Sequence, residues 1–208
     1  MSSTQCGLPE VQAAQRPDEQ RCVVYSFGSR GDDLFERRVL QLAPGCEVHI
    51  FDRSAPVRPA PRGGSGPYAR TARYHCRYLT ADNASSLSTY MRQLGHDYLD
   101  VLKVDIEGTE WDVFPGIDWP RARIGQIQVE IHPARPRSTV GHVDALFATL
   151  EAAGYRVISI EPVGFPPSDA GSQPVEAVFL HRTWTPWGFA RSGRAASGKL
   201  APPHSPYF

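Results

Sequence analysis

The sequence predicts an α/β fold in which helices cover both faces of a mostly parallel sheet. Apolar runs of strand length occur at 22–28, 46–52, 99–108 and 124–132, and the first two flank residues with a helical period. Strand, helix and strand in that order form the repeating unit of a parallel sheet. The chain has 208 residues, which is typical of one domain with a sizeable core.

The helices are predicted by the spacing of apolar residues. In 32–42 these residues recur at i, i+4 and i+7, and Pro44 and Gly45 end the helix. The same spacing predicts helices at 85–95 and 139–154, each of which ends in glycine.

Shorter elements complete the predicted fold. Residues 74–79 suit a short strand, and 109–114 suit a short helix. Strands at 155–162 and 175–182 follow the last helix and predict a hairpin that ends the sheet.

Charge and hydropathy exclude several classes of protein. Lys+Arg and Asp+Glu both number 22, so the formal net charge is zero and nothing indicates nucleic-acid binding. No apolar run approaches the roughly 18 residues of a membrane span, and 1–21 lack the apolar segment of a signal peptide. We predict a domain at 22–182, an N-terminal extension at 1–21 and a flexible C-terminal tail at 183–208.

Residues 53–73 interrupt the alternation of strands and helices. The stretch is rich in Pro, Gly and Arg, and no acidic residue lies between Asp52 and Asp82. Such a composition is typical of a flexible surface loop. The alternative is a basic lid over an acidic substrate or a phosphate, and the sequence leaves both interpretations open.

The first strand ends in a glycine-containing turn and the second ends in an acid. Gly28 and Gly31 allow a sharp turn and a close approach to a ligand. Asp52 lies 24 residues after Gly28 (52 − 28), where an acid binds the hydroxyls of a ribose. Because the G-x-G-x-x-G pattern is incomplete, the turn favours an adenosine cofactor without a pyrophosphate, such as S-adenosylmethionine.

Polar residues also stand at the ends of two later strands. Asp105 and Glu107 follow one strand, and Glu130 and His132 end the next. Ligands of open parallel sheets bind beyond the carboxyl ends of the strands, so these four side chains are predicted to line a cleft. An edge strand with one wet face would also explain the polar pair Glu130 and His132.

The four side chains suit two chemical roles. His132 is the natural general base, because the unperturbed pKa of histidine is close to neutral. Alternatively, the three carboxylates and the imidazole can hold a hard divalent cation. The sequence does not separate these roles, and we assign no metal ligands from it.

Three neighbouring residues are given structural roles. Lys103 is expected either to extend its ammonium group to solvent or to pair with a neighbouring carboxylate. Trp111 is expected to pack, and the alternative is that it lines the substrate pocket. Glu110 is interpreted as an acid in the first turn of a helix, favourable there without a catalytic role.

Several of these stretches resemble a known family. "VLKVDIEGTEWDVF" (101–114) resembles the D-I-E-G-x-E motif of FkbM-type S-adenosylmethionine-dependent methyltransferases. The Y-S-F-G and F-D motifs within 22–52, together with "IGQIQVEIH" (124–132), are similar to a eukaryotic methyltransferase-like branch related to it. The resemblance covers about residues 22–181.

This resemblance implies a Rossmann-like class I methyltransferase fold with a seven-stranded sheet whose last strand is antiparallel. It implies that Ser26, Gly28 and Gly31 lie at S-adenosylmethionine, Asp52 at its ribose, and Asp105 with Glu107 between cofactor and substrate. The implied reaction is O-methylation of a hydroxyl, for which we expect a small-molecule or glycan-like acceptor. From the residues at the strand ends, we expect His132, or one of Asp105 and Glu107, to act as the base, with Glu130 beside them.

One departure from the family keeps two alternatives open. Family members carry a fuller strand and helix where this chain has the loop 53–73. A non-catalytic binding module on a decayed methyltransferase fold is therefore the first alternative. A nicotinamide-dependent oxidoreductase is the second, and the missing third glycine disfavours it.

The cysteines allow one disulfide to be predicted. Cys22 lies six residues before Gly28 and Cys46 six before Asp52, so neighbouring parallel strands would place both cysteines at the same level. A bridge between them would imply a secretory or lumenal origin.

Overall fold

The computed structural model describes residues 22–54, 72–132, 140–164, 173–185 and 188–189. The strands are β1 (Val23–Phe27), β2 (Glu47–Phe51), β3 (Ala72–His75), β4 (Leu99–Val104), β5 (Ile124–Ile131), β6 (Tyr155–Pro162), β7 (Val175–His181), β8 (Trp184–Thr185) and β9 (Gly188–Phe189). The helices are α1 (Leu34–Leu42), α2 (Leu87–Leu94), α3 (Glu110–Val113) and α4 (Val140–Ala152), and a 3₁₀ turn spans Phe114–Gly116.

Seven strands form one sheet in the order β3-β2-β1-β4-β5-β7-β6. Strands β1 to β5 pair in parallel, whereas β7 is antiparallel to both β5 and β6. The predicted sheet with an antiparallel last strand is therefore confirmed. The chain runs outward from β1 to β3 and then returns to β4 on the other side of β1, which opens a ligand crevice where β1 and β4 end.

Helices cover both faces of the sheet, as predicted. On one face, α1 buries Val39 and Leu40 against Val24 of β1 and Ile50 of β2. The opposite face carries the larger core, formed by side chains of the sheet, α2, α3 and α4. In β1, for example, Tyr25 and Phe27 belong to the larger core and Val24 to the smaller one, because successive side chains of a strand point to opposite faces.

Cys22 and Cys46 form the predicted disulfide. Their Cα atoms lie 4.4 Å apart at the start of β1 and β2, and the backbone N–H of Glu47 donates to the Cys22 carbonyl at 2.7 Å. The bridge holds together the ends of the strands opposite the crevice. Cys76 is a free, exposed thiol.

The predicted tail begins with a residue that packs on the sheet. Trp184 is buried against the α1-side core, and its indole N–H donates to Asp100 Oδ1 at 3.4 Å. A Cβ on Gly125 would lie only 2.3 Å from Trp184 Nε1, so the glycine makes room for the indole.

The other predicted segments are only partly described. Strand β3 begins at Ala72, two residues inside the predicted loop 53–73, and ends at His75 instead of reaching residue 79. The extension 1–21, loop residues 55–71 and tail residues 190–208 lie outside the described residues. Within the described ranges, none of the helices combines the length and the apolar character needed to cross a membrane.

Candidate active site

A cleft of about 670 Å³ opens where β1, β2 and β4 end. This volume lies within the range of small-molecule and cofactor sites. The cleft is lined by residues that follow these three strands, by a stretch after β3 and by the start of α3: Phe27, Gly28, Arg30, Phe51, Asp52, Ser54, Tyr78, Leu79, Thr80, Ala81, Asp105, Ile106, Glu107, Thr109, Asp112 and Val113.

Gly28 forms the floor of the cleft between β1 and β4. Its φ is +84°, and a Cβ at this position would lie 1.5 Å from the carbonyl oxygen of Asp105. Its N–H donates to the Phe51 carbonyl at 3.1 Å, while the Asp105 N–H donates to the Phe27 carbonyl at 3.0 Å. Only glycine fits this crossing of three strand ends, and the backbone there is open to a ligand.

Asp52 closes the cleft beside the glycine turn. One carboxylate oxygen accepts hydrogen bonds from the backbone N–H of Arg30 and, at 3.3 Å, from the Ser29 hydroxyl. The other oxygen accepts from the N–H and the hydroxyl of Ser54, both at 2.7 Å. The carboxylate is thus fixed in orientation at the junction of the β1 and β2 turns.

Two residues predicted to lie at the cofactor do not line the cleft. Ser26 is fully buried in β1, and its side chain points to the α1 face because Phe27, the next residue, points to the other. Gly31 shapes the turn with φ +81° but is not among the residues that line the cleft. Gly28, Asp52 and Asp105 do line it.

An aromatic wall was not predicted from the sequence. The rings of Phe27 and Phe51 stack at 4.5 Å, and Phe51 stacks on Tyr90 of α2 at 4.9 Å. The Tyr90 hydroxyl donates to the Tyr78 carbonyl at 2.5 Å, which fixes the stretch Tyr78–Ala81 over the cleft. The only sequence signal for this wall is the position of 78–81 just after the third strand.

A cluster of carboxylates surrounds His132 at the edge of this cleft. Its Nε2 lies 3.5 Å from Glu130 Oε1, 3.7 Å from Glu107 Oε2 and 4.0 Å from Asp105 Oδ1. The structure therefore brings together the four residues predicted from the strand ends. Asp105 and Glu107 belong to both the cleft and the cluster.

Glu110 is part of the cluster, contrary to the role expected from its position. Its side chain is fully buried, and Oε1 accepts hydrogen bonds from the backbone N–H of His132 at 3.0 Å and from its Nδ1 at 2.9 Å. Its Oε2 accepts from the Gly108 N–H at 2.8 Å. Glu110 thus orients the imidazole and does more than favour the start of α3.

The carboxylates change the protonation of His132. Burial lowers the pKa of the imidazole, but the hydrogen bonds and negative charges of Glu110 and Glu130 outweigh burial and raise it to about 10. His132 is therefore protonated at neutral pH and cannot accept a proton there. Its predicted role as general base does not agree with this environment.

Two cations border the cluster on its outer side. Lys103 Nζ lies 3.6 Å from Asp105 Oδ2, which confirms the expected pairing, and Arg30 donates to Glu107 Oε1 at 2.5 Å. Burial raises the pKa of Asp105, and Lys103 partly opposes this effect. Glu107 has a φ of +58°. Residues other than glycine seldom adopt this backbone conformation, and where they do, it is often at a functional site.

Trp111 contacts the same histidine from the helix side. Its indole N–H donates to the His132 carbonyl at 3.3 Å. The predicted packing residue therefore also helps to fix the end of β5.

The sheet order, the glycine crossing and an acid after β2 define the Rossmann-like fold of the methyltransferases. Residues 9–168 match the family described as methyltransferase domain, and the chain belongs to that family. The fold is shared with a solved structure, a putative hemolysin from Lactococcus lactis, at a TM-score of 0.51 and 11% identity over 85% of this chain and 87% of that one.

Two curated relatives are probable methyltransferase-like proteins 24. The rat protein is 33% identical over 127 residues, which is 54% of this chain and 33% of the relative. The human protein is 30% identical over 144 residues, or 61% of this chain and 37% of the relative. The chain thus spans about a third of the length of these curated relatives.

Proposed function

We propose that the protein transfers a methyl group from S-adenosylmethionine to a hydroxyl oxygen of a small-molecule or glycan-like acceptor. The observation that carries this proposal is the continuity of two sites. Asp105 and Glu107 line the cleft below the glycine turn and also face the cluster around His132. A cofactor in the cleft would therefore adjoin side chains suited to binding and deprotonating an acceptor.

The residues of the cleft fit this cofactor. Gly28 leaves the backbone bare where a side chain would fill the cleft, and the cleft volume suits a nucleoside-sized ligand. The ribose hydroxyls would bind Asp52 in place of the Ser54 hydroxyl. The adenine would pack against Tyr78 and Leu79. S-adenosylmethionine supplies a sulfonium-bound methyl group, whose departure leaves a neutral thioether.

The acceptor would bind at the carboxylate cluster. Loss of the hydroxyl proton makes the oxygen a better nucleophile, and a carboxylate of the cluster is the group that can take this proton. His132, protonated at neutral pH, would hold the carboxylates in place and stabilise negative charge on the acceptor oxygen. The resemblance to FkbM-type enzymes supports oxygen as the methylated atom.

Calorimetric titration of the purified chain with S-adenosylmethionine and, separately, with NADH tests the cofactor. Binding of the first alone is expected. His132→Ala should keep this binding and lose at least about tenfold in turnover when S-adenosylhomocysteine release is measured against a panel of sugars and small alcohols. The exposed residue His142 provides the control, because His142→Ala should change neither quantity. Absence of cofactor binding would instead support the non-catalytic binding module.

The disulfide supports a location in the secretory pathway. Bridges such as Cys22–Cys46 persist in oxidising compartments and are rare in the cytosol. We therefore propose a secretory or lumenal origin for the protein. Expression behind a secretion leader, followed by thiol counting, tests this proposal: a bridge that forms only in the leader-directed protein is expected.

A further inference from the structure

The donor atoms around His132 have the arrangement of a cation site. One oxygen each of Asp105 and Glu107, with a ring nitrogen of His132, lie within 4.8 Å of one another. The atoms that face each other are Asp105 Oδ1, Glu107 Oε2 and His132 Nε2, with separations from the nitrogen of 4.0 and 3.7 Å. Neighbouring ligands of an octahedral ion at metal–oxygen bonds of about 2.1 Å lie about 3 Å apart, so small side-chain rotations complete the geometry.

The two carboxylates each direct their other oxygen away from this point. Asp105 Oδ2 faces Lys103, and Glu107 Oε1 accepts from Arg30. The two cations thus contact carboxylate oxygens other than those nearest to His132 Nε2. A cation bound at the inner oxygens would therefore leave both outer pairs in place.

His132 has the support expected of a metal ligand. Its Nδ1 bonds to Glu110, so Nε2 is the nitrogen directed at the carboxylates. Carboxylates that bind the second nitrogen of a ligating histidine are common around metal sites, where they fix the orientation of the ring. Because Glu110 is fully buried and also accepts from the Gly108 N–H, it holds the ring rigidly.

We propose that Asp105, Glu107 and His132 bind a divalent metal cation that holds the acceptor hydroxyl beside the cofactor cleft. Two carboxylates and one imidazole suit an ion such as Mn²⁺, which accepts oxygen and nitrogen ligands. A ligating imidazole must be neutral, so the ion would take the place of the proton on His132 Nε2. The carboxylates of Asp105, Glu107 and Glu130, which lie 3.5–4.0 Å from this nitrogen, favour a cation there.

The ion would make the acceptor hydroxyl more acidic than the side chains of the cluster alone can. A hydroxyl bound to a divalent cation loses its proton more readily. The O–H bond breaks, its electron pair stays on the oxygen, and the proton passes to Glu130, whose carboxylate lies 3.5 Å from His132 and faces the same point. Only the part of the inference that concerns the acceptor rests on the proposed function; binding of the ion does not.

The test measures Mn²⁺ binding to the metal-free full chain without cofactor, from the loss of the free-ion electron paramagnetic resonance signal. Wild type should bind Mn²⁺, whereas Asp105→Asn and His132→Asn should weaken the affinity at least tenfold. Glu107→Gln provides the variant least able to disturb folding, because this side chain is 42% exposed, and it should weaken binding similarly.

A second group of donors provides the matched control. Glu47, His49 and His96 also lie within 4.8 Å of one another, away from the cleft. His96→Gln should leave the Mn²⁺ affinity of the active-site cluster unchanged. Loss of binding in His96→Gln, or equal binding by wild type and Glu107→Gln, would overturn the proposal.

A calorimetric titration with S-adenosylmethionine separates this inference from the proposed function. S-adenosylmethionine should bind with equal affinity in the presence of EDTA and of Mn²⁺. If the cofactor fails to bind while Glu107→Gln still abolishes Mn²⁺ binding, the proposed function fails and the metal site stands. If the cofactor binds and no variant alters Mn²⁺ affinity, the metal site is wrong and the proposed function is unaffected.

Discussion

Glu110 Oε1 bonds to both the backbone N–H and the Nδ1 of His132, at 3.0 and 2.9 Å. A single oxygen of the first residue of α3 thus fixes the backbone of the residue that follows β5 and the rotation of its imidazole. The other oxygen bonds to the Gly108 N–H in the turn after β4. Glu110 therefore couples the two strand ends that carry the cluster.

Glu110→Gln should reduce turnover at least about tenfold, because the amide cannot accept hydrogen bonds at both ends. An amide oxygen placed toward His132 would turn the NH₂ group toward the Gly108 N–H. As a positioning residue, Glu110 should affect kcat and Mn²⁺ affinity and leave the dissociation constant of S-adenosylmethionine within about twofold. Asp118→Asn, an exposed acid before β5, is the control and should match wild type. An equal loss of cofactor affinity would indicate general damage to the fold.

Gly28→Ala should abolish cofactor binding and destabilise the domain. The new Cβ would lie 1.5 Å from the Asp105 carbonyl oxygen, a backbone atom that cannot move without separating β1 from β4. We expect a loss of about 3 kcal/mol or more in the free energy of unfolding, measured by urea denaturation. Gly45→Ala is the matched control, because no atom lies within 4 Å of its Cβ position. Equal stability of the two variants would contradict the close crossing at Gly28.

The sheet and part of the site follow from the sequence because both depend on where strands end. Asp105 and His132 are separated by 27 residues (132 − 105) but end neighbouring strands, so a parallel sheet brings them together. The same reasoning brings Gly28 and Asp52 to one cleft, where the structure has them. Ser26, which the family resemblance implied, does not line the cleft, because the strand alternates between faces and this residue falls on the α1 side.

Other parts of the site depend on tertiary contacts that a linear pattern does not contain. The partner of Glu110 is a histidine 22 residues away, whereas its sequence position indicates only an acid at a helix start. The pKa of His132 depends on how many carboxylates converge on it, which no spacing specifies. The stretch Tyr78–Ala81 is fixed by the hydroxyl of Tyr90, a contact between α2 and the residues after β3 that sequence periodicity does not indicate.

A group of neutral histidines beside β2 and β3 makes this side of the sheet sensitive to acid. His49 is fully buried and bonds to His75 at 2.9 Å and to Glu47 at 3.0 Å, while the Tyr25 hydroxyl bonds to His96 at 2.8 Å. Burial is the largest cause that lowers the pKa of His49, and the charges of His75 and His96 lower it further. The charge of Glu47 opposes them, and the resulting pKa is about 4. Burial is also the largest cause of the lowered pKa values of His75 and His96.

The free energy of unfolding should therefore fall between pH 6.5 and about 4. Over this range the unfolded chain binds protons that the folded cluster, with its lowered pKa values, does not bind. His49→Gln keeps a polar side chain without a titration in this range and should reduce the acid-dependent loss by on the order of 2 kcal/mol. Urea denaturation at pH 7, 5.5 and 4.5 measures the slope, with His142→Gln as an exposed control. Identical slopes for wild type and His49→Gln would remove His49 from the acid response.

Removal of the Cys22–Cys46 bridge should destabilise the domain without altering the site. The bridge closes a loop with a sequence separation of 24 residues and lies at the ends of β1 and β2 opposite the cleft. Without the bridge the unfolded chain gains conformational entropy, which lowers the free energy of unfolding by about 3 kcal/mol. Both cysteines are buried, so alanine is preferred to serine, whose hydroxyl would have no hydrogen-bond partner. Cys22→Ala/Cys46→Ala should lower the urea midpoint and keep the affinity for S-adenosylmethionine. The exposed thiol provides the control, and Cys76→Ala should leave the midpoint unchanged. Titration of the unfolded, unreduced protein should detect two of its four cysteines as thiols; four thiols would show that the bridge does not form.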